Sequence, residues 1–190
     1  ELEALSQRQR QTQLFIETPY RNRALLRELY AIRRDEPWKL GCTESYLLLR
    51  ARTRIACEEH NALLERALPA IRGRRRQAQD KPRVVFVGGF CEQPPLEMLE
   101  ALDDTCYVVD DDILIGLRWM TEDVDETGDP VRALAEAFLD RSAASPVQHD
   151  ERKTKEGYLM DMLHGARADA AILTAAKFCE PGLDEQVAWS

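Results

Sequence analysis

Two cysteines, three consecutive aspartates and a short polar turn are the residues of this 190-residue chain whose types and spacing could carry chemistry. Cys91 lies in Val87-Gly88-Gly89-Phe90-Cys91-Glu92-Gln93, and Cys179 in Lys177-Phe178-Cys179-Glu180-Pro181-Gly182. Thiolates are soft ligands that suit iron or zinc, and a thiolate can also serve as a nucleophile when a base adjoins it. No convincing base accompanies either one, since His149 and His164 fall elsewhere. Ligation is therefore favoured over nucleophilic attack, with Cys179 ahead of Cys91. Asp110, Asp111 and Asp112 offer hard oxygen ligands of the kind magnesium takes. Successive residues of an extended strand point to opposite faces, so three neighbouring carboxylates cannot all converge on one ion. Structural anchoring stands beside the metal or substrate role for this triplet. Arg118 and Trp119 follow close behind it.

The remaining cysteines invite structural roles. Cys106 opens a strand-like run and reads as a small buried hydrophobe. Cys57, at an apparent helix start, reads as structural, and Cys42 fits either a loop or a structural position. Gly88 and Gly89 are adjacent and followed by Pro94 and Pro95, so the GxGxxG spacing of a dinucleotide loop is missing. They suit a sharp turn with backbone near a ligand, or the end of a strand.

Elements that could position these groups follow from the hydrophobic period. Residues 1–80 read as helices and the remainder, 81–190, as an α/β domain incomplete at its end. Leu25, Leu26, Leu29, Tyr30 and Ile32 recur at helical spacing between Pro19 and Pro37. A further helix is predicted with Thr43 as N-cap and Leu47 and Leu48 turned inward. The next carries Leu63, Leu64, Ala67, Leu68 and Ile71, with Pro69 expected to bend or interrupt it. The period then changes. Residues 83–89 form a nearly unbroken β-branched run, as a central parallel strand requires. Strands are also predicted at 106–113 and 169–177, separated by helices, one with Pro94 and Pro95 at its start and one capped by Asp129 ahead of Pro130. Strand, helix, strand, helices, strand describes a parallel sheet in a Rossmann-like, flavodoxin-like three-layer domain, preceded by a helical segment. Ligands of such sheets gather beyond the carboxyl ends of the strands. The segments holding Cys91, Asp110–Asp112 and Cys179 all arrive at that edge.

Composition narrows the function classes. With 44% hydrophobic and 32% charged residues the chain has the make-up of an ordinary folded protein. A net charge of −8 leaves no basic surplus to displace phosphate counterions, which argues against nucleic-acid binding. The one basic cluster, Arg72, Arg74, Arg75 and Arg76 with Lys81 and Arg83, is expected to cover a solvated helix end. No apolar run is long enough to span a bilayer, and the polar residues 1–13 do not resemble a signal peptide. Five widely spaced cysteines do not form a disulfide framework, so a reducing, cytoplasmic setting is expected. The chain has no initiator Met and ends in Asp184–Ser190, where another helix should be under way. It reads as an internal fragment.

Together the stretches FIETPYRNRALLRELYAIRRDEPWKL, RVVFVGGFCEQPPLEMLEAL, CYVVDDDILIGLRW, SPVQHD and AAKFCEPGLDEQVA carry a resemblance. The chain resembles the iron–sulfur subunits of benzoyl-CoA reductase, the C-type first and the B-type next, within the wider 2-hydroxyacyl-CoA dehydratase D-component family. The resemblance implies a [4Fe–4S] cluster held by three cysteines per subunit, with Cys179 matching the last of them. The other two belong to an N-terminal domain without secure counterparts here, and Cys42 and Cys57 lie in helices like those joining the two domains. It further implies a related sister subunit, ATPase electron-activating subunits and ferredoxin as partners. The implied reaction is reduction of benzoyl-CoA, or a related acyl-CoA, to a cyclic dienoyl-CoA. Asp110, Asp111, Asp112 and Arg118, with Cys91, Glu92 and Gln93, become candidates for the pocket edge. A 2-hydroxyacyl-CoA dehydratase subunit is the nearest alternative, and a noncatalytic iron–sulfur, zinc or interaction module is a third.

Overall fold

The computed structural model describes residues 20–88, 93–113, 124–125, 127–141, 154–177 and 179–180. In chain order the elements are α1 (Tyr20–Asp35), a 3-10 turn (Pro37–Lys39), α2 (Cys42–Ala51), α3 (Cys57–Arg72), β1 (Arg83–Gly88) and α4 (Leu96–Thr105). They are followed by β2 (Tyr107–Asp112), α5 (Pro130–Arg141), α6 (Lys155–Ala166) and β3 (Ala170–Thr174).

The first three helices form around a shared apolar stripe. Leu26, Leu29, Tyr30 and Ile32 of α1 pack with Leu40, Leu49 of α2, and Leu64, Leu68 and Ile71 of α3. The spacing of these residues, three or four apart, places them on one side of each helix. Two expectations need correction here. Leu47 is 49% exposed, and it is Tyr46 and Leu49 that turn inward, because the buried stripe of α2 begins with Cys42 and Ser45. Pro69 does not interrupt α3, which runs unbroken to Arg72. Pro69 sits on the solvent side of the last turn.

The cap of α2 also differs from expectation. Gly41, not Thr43, is the N-cap. The first amides of the helix, Cys42 N–H and Thr43 N–H, donate instead to the carboxylate of Asp103 on α4. A carboxylate there satisfies orphan donors and meets the positive end of the helix dipole. A side chain at Gly41 would collide with it, the Cβ lying 2.8 Å from Asp103 Oδ2.

The three strands are parallel and ordered β2-β1-β3. Central β1 is buried on both faces, which explains its lack of alternation. Val84 and Phe86 pack toward Cys42, Tyr46, Leu99, Cys106 and Val108 on one side. Val85 and Val87 pack toward Val109 and the α6 residues Leu159, Met162, Leu163 and Ala166 on the other. The described core is thus three-layered, and each buried Val or Phe contributes roughly 1.5–3 kcal/mol relative to exposure. Cys106 lies within this core, 4% exposed, as its sequence position suggested. Capping of α5 and α6 is local. Asp129 accepts from Val131 N–H at 3.0 Å, and Thr154 from Gly157 N–H at 3.3 Å.

Candidate functional site at the carboxyl edge of the sheet

β1 ends in a glycine for a geometric reason. Gly88 has φ of +110°, and a Cβ there would fall 1.9 Å from the carbonyl oxygen of Thr174. Only glycine allows that backbone angle and so close an approach. Thr174 Oγ1 donates to the Val87 carbonyl at 3.1 Å, tying the end of β3 to that of β1. The strand order reverses at this junction, since β2 lies on one side of β1 and β3 on the other. Open α/β sheets bind ligands at such switch points.

A cavity of about 550 Å³ opens there. It is lined by Tyr46 and Arg50 of α2, by Gln93, Pro94 and Leu96 leading into α4, and by the segment Thr174–Ala176. Gln93, one of the expected pocket-edge residues, lies on its wall. Among the described residues neither Gln93 Oε1 nor Nε2 has a hydrogen-bond partner, and both are shielded from solvent. Arg50 Nη1 donates to Tyr46 Oη at 2.6 Å, with the guanidinium 5.8 Å from the ring centroid. Cys179 lies three residues beyond this wall. Its own N–H donates to the Ala176 carbonyl at 3.0 Å, closing a turn, and its side chain is buried. Cys91, Glu92 and Arg118 lie outside the described residues.

Within the aspartate triplet, Asp111 makes the contacts to α1. A bulge shifts the β1–β2 register, with Val84 opposite Val108 but Val85 opposite Asp110. Two of the acids, Asp111 and Asp112, are buried, 6% and 1% exposed. Asp111 forms a buried ion pair with Arg33 of α1 and accepts a hydrogen bond from Tyr30 Oη at 3.0 Å. Arg33 Nε and Nη2 also donate to the Val108 carbonyl at 3.2 and 3.1 Å, and its guanidinium stacks 5.0 Å from the Tyr30 ring centroid. Burial alone would favour a neutral Arg33, yet the adjacent Asp111 carboxylate holds its pKa above the ordinary value. Burial, assisted by the Asp111 charge, raises Tyr30 in turn. Asp110 is pushed up to about 6, first by burial and then by the neighbouring Asp111 charge. Among the described residues no group of three or more His, Cys, Asp or Glu could hold a metal ion. Asp111 clamps the edge strand to α1 through Arg33 and Tyr30.

Cys42 and Cys106 are poorly suited to thiolate chemistry. Burial pushes Cys42 up to about 12, despite the opposing pull of Arg33. Burial also raises Cys106. Cys57 is half-buried on the first turn of α3 and lies 3.9 Å from Asn61 Nδ2. The basic cluster is largely committed. Arg74 grips Glu44 through two nitrogens, at 2.6 and 2.5 Å, Arg72 meets Glu28 at 2.8 Å, and Lys81 Nζ donates to the Asp103 carbonyl at 2.7 Å. A cavity of similar size, about 570 Å³, opens near Trp38, Arg76 and Lys81 at the strands' amino ends, away from the switch point.

Sequence reasoning overlooked Arg33, Tyr46 and Arg50. Arg33 was detectable, because it continues the stripe of Leu26, Leu29 and Tyr30 and so places a charge on an apolar face. Tyr46 and Arg50 gave no comparable sign, since only the fold brings α2 over the end of β3.

Comparison with known proteins gives a consistent pattern. The family model described as 2-hydroxyglutaryl-CoA dehydratase, D-component, matches residues 5–187. The C-type benzoyl-CoA reductase subunit of Thauera aromatica is 37% identical over 167 residues, covering 87% of this chain and 43% of that protein. The beta subunit of lactoyl-CoA dehydratase from Anaerotignum propionicum is 28% identical over 162 residues, covering 84% and 42% respectively. The chain spans less than half the length of either relative.

Proposed function

Because the chain belongs to the 2-hydroxyglutaryl-CoA dehydratase D-component family, we propose that it forms part of a cluster-bearing subunit of an ATP-dependent benzoyl-CoA reductase. Such a subunit would act with a related sister subunit, ATPase electron-activating subunits and ferredoxin to reduce the aromatic ring to a cyclic dienoyl-CoA. The observation that carries this choice is the 37% identity to a benzoyl-CoA reductase subunit across most of the chain. The 28% identity to a lactoyl-CoA dehydratase subunit supports the dehydratase as the second reading.

Cys179 is the residue proposed to ligate a [4Fe–4S] cluster. Its donor type fits, and it lies on a turn just past the sheet's carboxyl edge. One thiol is one ligand, and among the described residues no group of three or more His, Cys, Asp or Glu gathers around a common point. The remaining ligands must therefore come from outside the described part. When bound, such a cluster supplies single electrons, at a potential set by hydrogen bonding, charge and burial. The chain's own contribution is positional. The Cys179–Ala176 hydrogen bond holds the turn, and the buried Cys179 side chain limits access of water. The Gly88–Thr174 approach keeps β1 and β3 together beside it.

A partner chain also has a surface to cover. Val131, Phe138 and Leu139 of α5 are 61%, 56% and 52% exposed, and apolar surface of that kind supports an interface. The described helices include none long and apolar enough to cross a membrane.

The test is an assay of the complete complex, with its ATPase subunits and reduced ferredoxin, on benzoyl-CoA and on a 2-hydroxyacyl-CoA. Net reduction of benzoyl-CoA coupled to ATP hydrolysis is expected. Redox-neutral dehydration of the hydroxyacyl thioester, with benzoyl-CoA untouched, would assign the dehydratase instead.

A further inference from the structure

We propose that the cavity at the β1–β3 switch point holds the pantetheine arm of a coenzyme A thioester, with Gln93 pairing to the arm amides and Arg50 facing the phosphates. The proposal rests on the acyl-CoA reading above and deepens it by placing the carrier on this chain. Three observations converge on it.

The first is the unsatisfied carboxamide. Gln93 has both a donor and an acceptor without partners among the described residues, and such burial is costly unless a partner arrives. Amides are the complementary groups, a C=O accepting from Nε2 and an N–H donating to Oε1, and because a trans amide points these to opposite sides, two amides satisfy the carboxamide. Pantetheine carries two amides along a flexible arm. In the structure the carboxamide is shielded from water, so rotation about its outer side-chain bonds accompanies the pairing.

The second is the charge at the rim. Arg50 is exposed, hydrogen-bonds Tyr46 Oη, and forms no ion pair among the described residues. A guanidinium steadied by an aromatic ring and without a carboxylate partner among the described residues is suited to phosphate oxygens. The third is the wall itself. Pro94, Leu96, Ala175 and Ala176 give the methylene segments of the arm an apolar surface. Cys179 follows Ala176 by three residues, so an arm seated here delivers its thioester end to the neighbourhood of the proposed cluster ligand.

Gln93→Met and Arg50→Met, each introduced into the complete chain within the assembled complex, test the assignment. Methionine keeps an unbranched shape at position 93 and removes a buried polar pair, so folding of that variant is expected to match wild type. KM for benzoyl-CoA is measured together with competition by free pantetheine, which has the amides and no phosphates. Gln93→Met is expected to weaken both about tenfold, with the loss carried by KM rather than kcat. Arg50→Met is expected to weaken benzoyl-CoA several-fold and leave pantetheine competition unchanged. Unaltered KM in both variants, a fall in kcat alone, or failure of pantetheine to compete with wild type would overturn the assignment while leaving the reductase reading intact. A wild-type complex that takes no acyl-CoA at all would overturn both.

Discussion

At the residue scale the clearest balance of forces is at Arg33 and Asp111. Each side chain is 1% exposed, and together with Tyr30 and the Val108 carbonyl they satisfy one another's hydrogen bonds. Taking two charges out of water costs several kcal/mol per ion, so the pair is weak as a source of stability but severe when halved. Arg33→Met, which strands the Asp111 carboxylate, should lower unfolding free energy by about 3–5 kcal/mol in urea titration. Removing both charges with Arg33→Met and Asp111→Leu should recover much of that loss. A single variant within about 1 kcal/mol of wild type would show that the pair is solvated. The sequence revealed that three adjacent acids could not share one ion, and structural anchoring was among the roles it allowed. It did not reveal which acid is anchored, because the choice depends on the β2 bulge and on a helix some 80 residues earlier in the chain.

At the element scale, strands were the most legible feature. Residues 84–87 of β1 offer no polar side chain to expose, as suits the central strand they form. Local caps at Asp129 and Thr154 also follow sequence rules, the first foreseen from its place before Pro130. The cap of α2 was not legible, since its acceptor lies 60 residues away on α4. Thr43 looked suitable only because nothing in the local sequence announces Asp103. This long-range cap joins the helical part to the sheet layer. Asp103→Ala should therefore destabilise the protein by about 1–2 kcal/mol, the upper part of the usual range for lost caps. Denaturant unfolding of the variant checks this, and Asp103→Asn should recover part of the loss by still accepting from Cys42 and Thr43 amides. Equal losses for alanine and asparagine would show that charge, not hydrogen bonding, carries the cap.

For the whole molecule, the α/β order was readable, and the family is established by a match across residues 5–187. The site itself was only partly readable. Gln93 belongs to the described cavity wall, while Cys91, Glu92 and Arg118 lie outside the described residues. Tyr46 and Arg50 come to that wall from a helix whose sequence carries no chemical motif. A switch point assembled from distant segments is a property of topology, which periodicity in one segment cannot display. The same reasoning explains how a lone cysteine can matter, because its co-ligands need not be near it in sequence. The central claim is that residue 179 supplies a sulfur ligand to an iron–sulfur centre. Its most direct test is iron and acid-labile sulfide analysis with EPR on the complete, anaerobically prepared complex, comparing wild type with Cys179→Ser. Loss or clear alteration of one [4Fe–4S] signal is the result the account predicts; full iron content with an unchanged spectrum would contradict it.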